Sequence, residues 1–124
     1  MAELPIAQAD ICIFQGATFS QTLFYENGTP SVPVNLTGYS AKMQIRSKPE
    51  SKAVILELST SNGRITLGTS GDYSTGAINL FISATDTGNL SICDKAVYDL
   101  ELTVGSVVTR ILQGNVIISP QVTR

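Results

Sequence analysis

The stretch Ala96-Val97-Tyr98-Asp99-Leu100-Glu101-Leu102-Thr103, followed by Val104-Gly105-Ser106 and Val107-Val108-Thr109-Arg110-Ile111-Leu112, decides the fold. Tyr98, Leu100 and Leu102 point one way, and Val97, Asp99 and Glu101 point the other. That period of two belongs to a strand with one buried face. The Gly-containing link sends the chain back into a second strand rich in β-branched residues, so the pair reads as a β-hairpin.

The same alternation recurs upstream. From Tyr39 to Arg46, Tyr39, Ala41, Met43 and Ile45 face inward, while Ser40, Lys42, Gln44 and Arg46 face outward. From Ala77 to Ser83, Ile78, Leu80 and Ile82 form the inward set. Shorter strands are expected at Asp10 to Phe14, Thr18 to Glu26, Ala53 to Ser59 and Arg64 to Leu67. In the second of these Phe19, Leu23 and Tyr25 share a face and Phe24 takes the other. In the third, Val54, Leu56 and Leu58 share a face. Asn27-Gly28 and Asn62-Gly63 supply turns, because glycine adopts positive φ without a steric penalty. Ser83 can cap a single helical turn, with Asp86 as the reaching-back partner and Gly88-Asn89 as its end. Gly68 to Gly76 reads as a polar, mobile loop, and Gly114-Asn115 as a bulge in the last strand.

These elements predict an all-β fold. It is an immunoglobulin-like antiparallel β-sandwich of roughly seven to nine short strands, with at most one helical turn. The likeness to immunoglobulins is architectural only, since the chain has no tryptophan. Residues 1–9, which contain Pro5 and no clear period, read as an N-terminal arm, and residues 10–124 as the sandwich domain.

Charged residues make up 15% of the 124 residues, well below the usual quarter, and Ser, Thr, Asn and Gly fill the gap. A surface of hydroxyls and amides suits a protein packed among neighbours in an assembly. Net charge is −2, from eight basic and ten acidic residues with no run of one sign, which disfavours nucleic-acid binding. No apolar run approaches the length of a membrane span. Met1-Ala2-Glu3-Leu4-Pro5 lacks the basic and apolar regions of a signal peptide, so folding in a cytoplasm is expected. Cys12 and Cys93 are the only cysteines and lie in no metal or redox spacing; in such a compartment they read as small, buried or half-buried thiols.

There is no histidine, which removes the commonest general base, the Ser–His and Cys–His nucleophile systems and the commonest transition-metal ligand. Asp99 and Glu101 leave the same strand face about 6 to 7 Å apart, a separation an acid/base pair could use. The plainer reading is a solvent face, with Arg110 on the returning strand as a cross-strand partner. No metal-binding loop and no phosphate-binding glycine pattern is present, so no catalytic, cofactor or metal residues are assigned. Tyr39 and Tyr98 fall on apolar faces and are expected in the core, with their hydroxyls bonded at its rim. Phe24 and Phe81 lie opposite their strands' main apolar sets, and Tyr73 lies in the polar loop. These three, with Asp99, Glu101 and Arg110, are the candidate protein–protein contacts.

Three segments carry a family resemblance. The first is Val32-Pro33-Val34-Asn35-Leu36-Thr37-Gly38-Tyr39, running into the strand that ends at Arg46. The second is Gly76-Ala77-Ile78-Asn79-Leu80-Phe81-Ile82-Ser83-Ala84-Thr85-Asp86-Thr87, a strand feeding a helical turn. The third is the hairpin from Tyr98 to Gly114, followed by Val122-Thr123-Arg124. In this order they resemble the N-terminal β-sandwich module of upper-baseplate and fibre-anchoring proteins of tailed bacteriophages, over most of residues 16–124. The resemblance implies a non-enzymatic virion structural protein. It would dock on tail, baseplate or neck and anchor a fibre, spike or neighbouring subunit, as a homo-oligomer within the assembly. The chain reaches Arg124 without a coiled coil or receptor-binding domain, which fits an adaptor or connector. A capsid decoration protein and a carbohydrate-binding adsorption module are the alternatives. A small hydrolase using Asp99 and Glu101 is the least favoured.

Overall fold

A computed structural model describes residues 7–28, 30–90 and 93–123. In chain order its elements are β1 (Ala7–Gln8), β2 (Ile11–Phe14), β3 (Phe19–Phe24), β4 (Glu26–Asn27), β5 (Val32–Pro33), β6 (Ser40–Arg46), β7 (Leu56–Ser59) and β8 (Ile65–Leu67). A 3-10 turn (Tyr73–Thr75), β9 (Ala77–Ile82), α1 (Ala84–Gly88), β10 (Cys93–Val104) and β11 (Val107–Ser119) complete it. The fold is all-β.

Alternation builds the two sheets. In the larger, β11 is flanked on one side by β1 and β2 and on the other by β10, then β6, then β7. The smaller has the order β3-β9-β8, and β4 and β5 form a separate short hairpin. One core lies between the inner faces. The large sheet contributes Ile11, Ile13, Met43, Ile45, Leu58, Tyr98, Leu100, Leu102, Val116 and Ile118; the small sheet contributes Ile65, Leu67, Ile78, Leu80 and Ile82. Each run occupies every second position of its strand, as burial of one face of a pleated strand demands.

Several expectations change. The sheet is not antiparallel throughout, because β1 and β2 both run parallel to β11. The chain leaves β2 for the other sheet at β3 rather than turning back in a hairpin, so nothing forces antiparallel pairing. Ala7–Ala9, placed in the arm by the sequence, belong to the sheet: Ala7 and Gln8 pair with Leu112 and Gln113, and the Ala9 N–H donates to the Gln113 carbonyl at 3.0 Å. Residues 1–6 of the expected arm lie outside the described residues.

Gly114 is not at a bulge. It pairs in regular register with Tyr98, and the register shifts fall elsewhere: one at Ile111, since Leu100 faces Leu112 but Glu101 faces Arg110, and one between Cys93 and Ala96. Gly114 serves a close approach instead: a Cβ there would run into the backbone carbonyl of Ala9. The same carbonyl accepts the Tyr98 hydroxyl at 2.7 Å. Tyr98 is only 4% exposed, and burial, followed by the charge of Asp10, pushes its pKa up to about 12. The core placement and bonded hydroxyl expected of Tyr98 are both present, while Tyr39 is half-buried against the core.

A second helical turn exists where the sequence suggested a mobile loop. The Asp72 carboxylate accepts from the Ser74 N–H at 3.0 Å and caps the 3-10 turn, and Gly76 closes it at φ 70°. Thr69 and Asp72 exchange backbone bonds, and the Leu36 N–H donates to the Tyr73 carbonyl at 3.0 Å. The Gly, Ser, Thr and Asp content that suggested mobility is what stitches these turns. Val54 is exposed because strand pairing begins only at Leu56. Cys12 is an exposed free thiol rather than a buried one, since Ile11 and Ile13 occupy the inner face of β2.

The cap at α1 forms by half. The Ser83 hydroxyl accepts from the Asp86 N–H at 3.1 Å, but the Asp86 carboxylate turns to Arg64, 2.9 Å away. That guanidinium holds the Asp86 pKa below the usual carboxylate value. Thr87, fully buried, fastens α1 to the β2–β3 link: its hydroxyl donates to the Ala17 carbonyl at 2.8 Å and accepts from the Gly16 N–H at 3.1 Å.

Candidate functional site

The six candidate contact residues divide among three places. Asp99, Glu101 and Arg110 lie on the outer face of the large sheet. Phe24 and Phe81 lie on the outer face of the small sheet. Tyr73 stands apart on the exposed 3-10 turn.

On the large sheet, β10 presents Val97, Asp99 and Glu101 beside Arg46, Gln44 and Lys42 of β6. The extra residue at Ile111 shifts β11 so that Arg110 sits opposite Glu101 in register, yet its Nε reaches diagonally to Asp99 at 3.3 Å. The cross-strand ion pair expected here therefore forms with Asp99. Its side chains are 46% and 38% exposed, so water screens much of the attraction. Next to it the Gln44 amide donates to Glu57 at 2.7 Å, and Arg46 donates to the Gln44 side-chain oxygen at 2.7 Å and to the Ser51 carbonyl at 2.6 Å. Gln44, Arg46, Asp99 and Arg110 line an open depression of about 420 Å³, which also touches Gln8, Pro49, Gln113 and Asn115. Its chemistry is amide and guanidinium with one carboxylate, a lining that can hydrogen-bond hydroxyl-rich groups. Among the described residues no cluster of three or more His, Cys, Asp or Glu is placed to hold a metal ion. No helix among the described residues is long and apolar enough to cross a membrane.

The small sheet's outer face is built differently. β3 pairs with β9 so that Ser20 faces Phe81, Thr22 faces Asn79 and Phe24 faces Ala77. Thr66 of β8 lies beyond Asn79. Phe24 is 62% exposed and Phe81 47%, far from core values, because their inward neighbours already fill the core. A polar row runs between the two rings: the Thr22 hydroxyl donates to the Asn79 side-chain oxygen at 2.9 Å, and the Asn79 amide donates to the Thr66 and Gly68 carbonyls. Neither β3 nor β9 carries a charged residue, and Arg64 at the margin is engaged by Asp86.

Other exposed apolar residues escaped the sequence reading. Phe14, Ile117, Val107 and Val108 are all exposed. Phe14 and Ile117 alternate with buried isoleucines on β2 and β11, so the same off-phase argument that singled out Phe24 would have found them.

No protein-family model matches the chain, and no curated protein matches it at a significant level.

Proposed function

We propose that the protein is a non-enzymatic structural adaptor of a tailed-phage virion. It works by surface complementarity, docking on tail, baseplate or neck and holding a fibre, spike or neighbouring subunit. The observation that carries this reading is the outer face of the small sheet. Two large aromatic side chains stand out of an uncharged strand pair, a combination suited to being covered by another subunit rather than by water. The three sequence segments that resemble the baseplate and fibre-anchoring module support the same conclusion.

Antibody against the protein should decorate phage particles in negative-stain micrographs at the tail or its junction with the head. Decoration distributed over the head would favour the capsid-decoration alternative. Protein that never co-purifies with particles would overturn the virion reading.

The amide-lined depression beside Asp99 and Arg110 favours a second reading, a carbohydrate-binding adsorption module. A glycan array read against the Arg110→Ala variant tests it. Binding that disappears with the substitution supports a glycan site, and an array at background removes it.

A further inference from the structure

The small sheet ends in an open edge, and the sequence along that edge matches itself. β9 lies between β3 and β8, so β3 has a strand neighbour on one side only among the described residues. Backbone parity shows which groups it leaves open. The Tyr25 N–H donates to the Gly76 carbonyl, while on the far side of β9 the Phe81 N–H donates to Arg64 and the Gly68 N–H to Ala77. Residues 19, 21, 23 and 25 therefore bond inward to β9. The backbone groups of Ser20, Thr22 and Phe24 point out of the sheet.

Natural sheets protect such edges with charge, proline, bulges or brevity. β8 is three residues long, with Arg64 beside it, and β7 is four residues long and carries Glu57. β3 has none of these devices. It is six residues long, and Thr18 to Tyr25 contains no charge, no proline and no glycine.

We infer that β3 pairs antiparallel with β3 of a second copy of this chain, about a two-fold axis at Thr22, to form one continuous sheet. In that register Ser20 faces the partner's Phe24, Thr22 faces its own counterpart, and Phe24 faces the partner's Ser20. All three are residues with outward backbone groups, so each opposed pair can exchange both backbone bonds. The side-chain sizes select a second copy over an unrelated strand. Each Phe24 ring lands beside a small Ser20, whose other neighbour is Phe81, so two aromatic rings close over one serine from either side. The centre becomes a Thr–Thr cross-strand pair flanked by Asn79 from both chains. Glu26 falls opposite Thr18, so the register brings no like charges together. An isologous contact of this kind closes on itself and does not propagate into a fibre. It is independent of the virion reading, since a particle protein could be monomeric when free and a dimer need not belong to a particle.

Sedimentation equilibrium of the purified chain and two charge variants tests the pairing. The wild-type chain should reach the mass of two chains as concentration rises. Thr22→Lys and Thr22→Glu each place like charges across the axis and should sediment as one chain, while their equimolar mixture should recover the two-chain mass. The Ser20, Thr22 and Phe24 amides should exchange with solvent at least tenfold more slowly in the wild-type chain at high concentration than in Thr22→Lys. Three results would overturn the inference: a wild-type chain that stays single into the millimolar range, association that both charge variants leave intact, or a mixture no more associated than its components.

Discussion

The large and small sheets bury their inner faces in one core, yet the outer surface around Asp99 and Arg110 and the outer surface around Phe24 and Phe81 are built differently. On the large sheet, Arg110 pairs with Asp99 across β11 and β10, and Arg46, Gln44 and Glu57 bond one another across β6 and β7. Long polar side chains there cover the backbone and satisfy each other, leaving a wetted depression. On the small sheet, Ser20, Thr22 and Asn79 are short, and the Phe24 and Phe81 rings on either side of them are exposed. A polar face that satisfies itself can remain in water. An uncharged face with two exposed rings and an open edge gains by being covered.

The first way to break this comparison is to remove one core residue from each layer. Leu100→Ala in the large sheet and Leu80→Ala in the small one should each cost about 2 to 5 kcal/mol in urea unfolding, since both side chains are buried and leave cavities. A small-sheet variant that unfolds like wild type would make that layer an accessory to the core rather than half of it. Next in size is Gly114→Ala, which drives a Cβ against the carbonyl of Ala9. It should cost about 1 to 3 kcal/mol and raise amide exchange in β1 ahead of the small sheet.

Tyr98→Phe sharpens the comparison with a pH signature. Losing the bond to the Ala9 carbonyl should cost about 1 to 2 kcal/mol at neutral pH. Because folding raises the Tyr98 pKa from 10 to about 12, the folded state holds the phenol proton more tightly than the unfolded chain does. That contribution is complete below pH 10 and is lost as pH rises towards 12. The Phe variant should therefore lose less stability than wild type over that interval in alkaline melts.

The smallest effects concern the ion pairs. Asp99→Asn should change stability by no more than about 0.5 kcal/mol, because its pair with Arg110 is exposed. Asp86 and Asp72 both have depressed pKa values, Asp86 chiefly through the Arg64 bond and Asp72 through the Ser74 hydroxyl. Their contributions are present above the ordinary carboxylate pKa and fade as pH falls through the lower folded values. Asp86→Asn should flatten the acid limb of the melting curve without shifting the alkaline one.

How much of this was legible in the chain follows from the range of each interaction. Tyr98, Leu100 and Leu102, or Ile78, Leu80 and Ile82, declare a buried face because two-residue periodicity is local. Phe24 and Phe81 were legible one by one as aromatics out of phase with their strands. That they share a face was not, because it depends on pairing β3 with β9 across more than fifty residues of chain. The parallel docking of β1 and β2 on β11 has no local signature either. The Ala9 carbonyl that ties it to Gly114 and Tyr98 is a backbone group, invisible to any residue pattern. Gly68 to Gly76 was misjudged for the opposite reason: its composition is shared by mobile loops and by tightly stitched turns, and only the bonds distinguish them.

The position of β11 carries one more consequence, for the order in which the molecule can be made. It touches β1, β2 and β10, so the large sheet cannot assemble around its centre until residues 107–119 have been synthesised. Every strand of the small sheet lies before residue 83. On a ribosome, the layer with the open, uncharged edge is complete first and waits for its partner layer with that edge exposed.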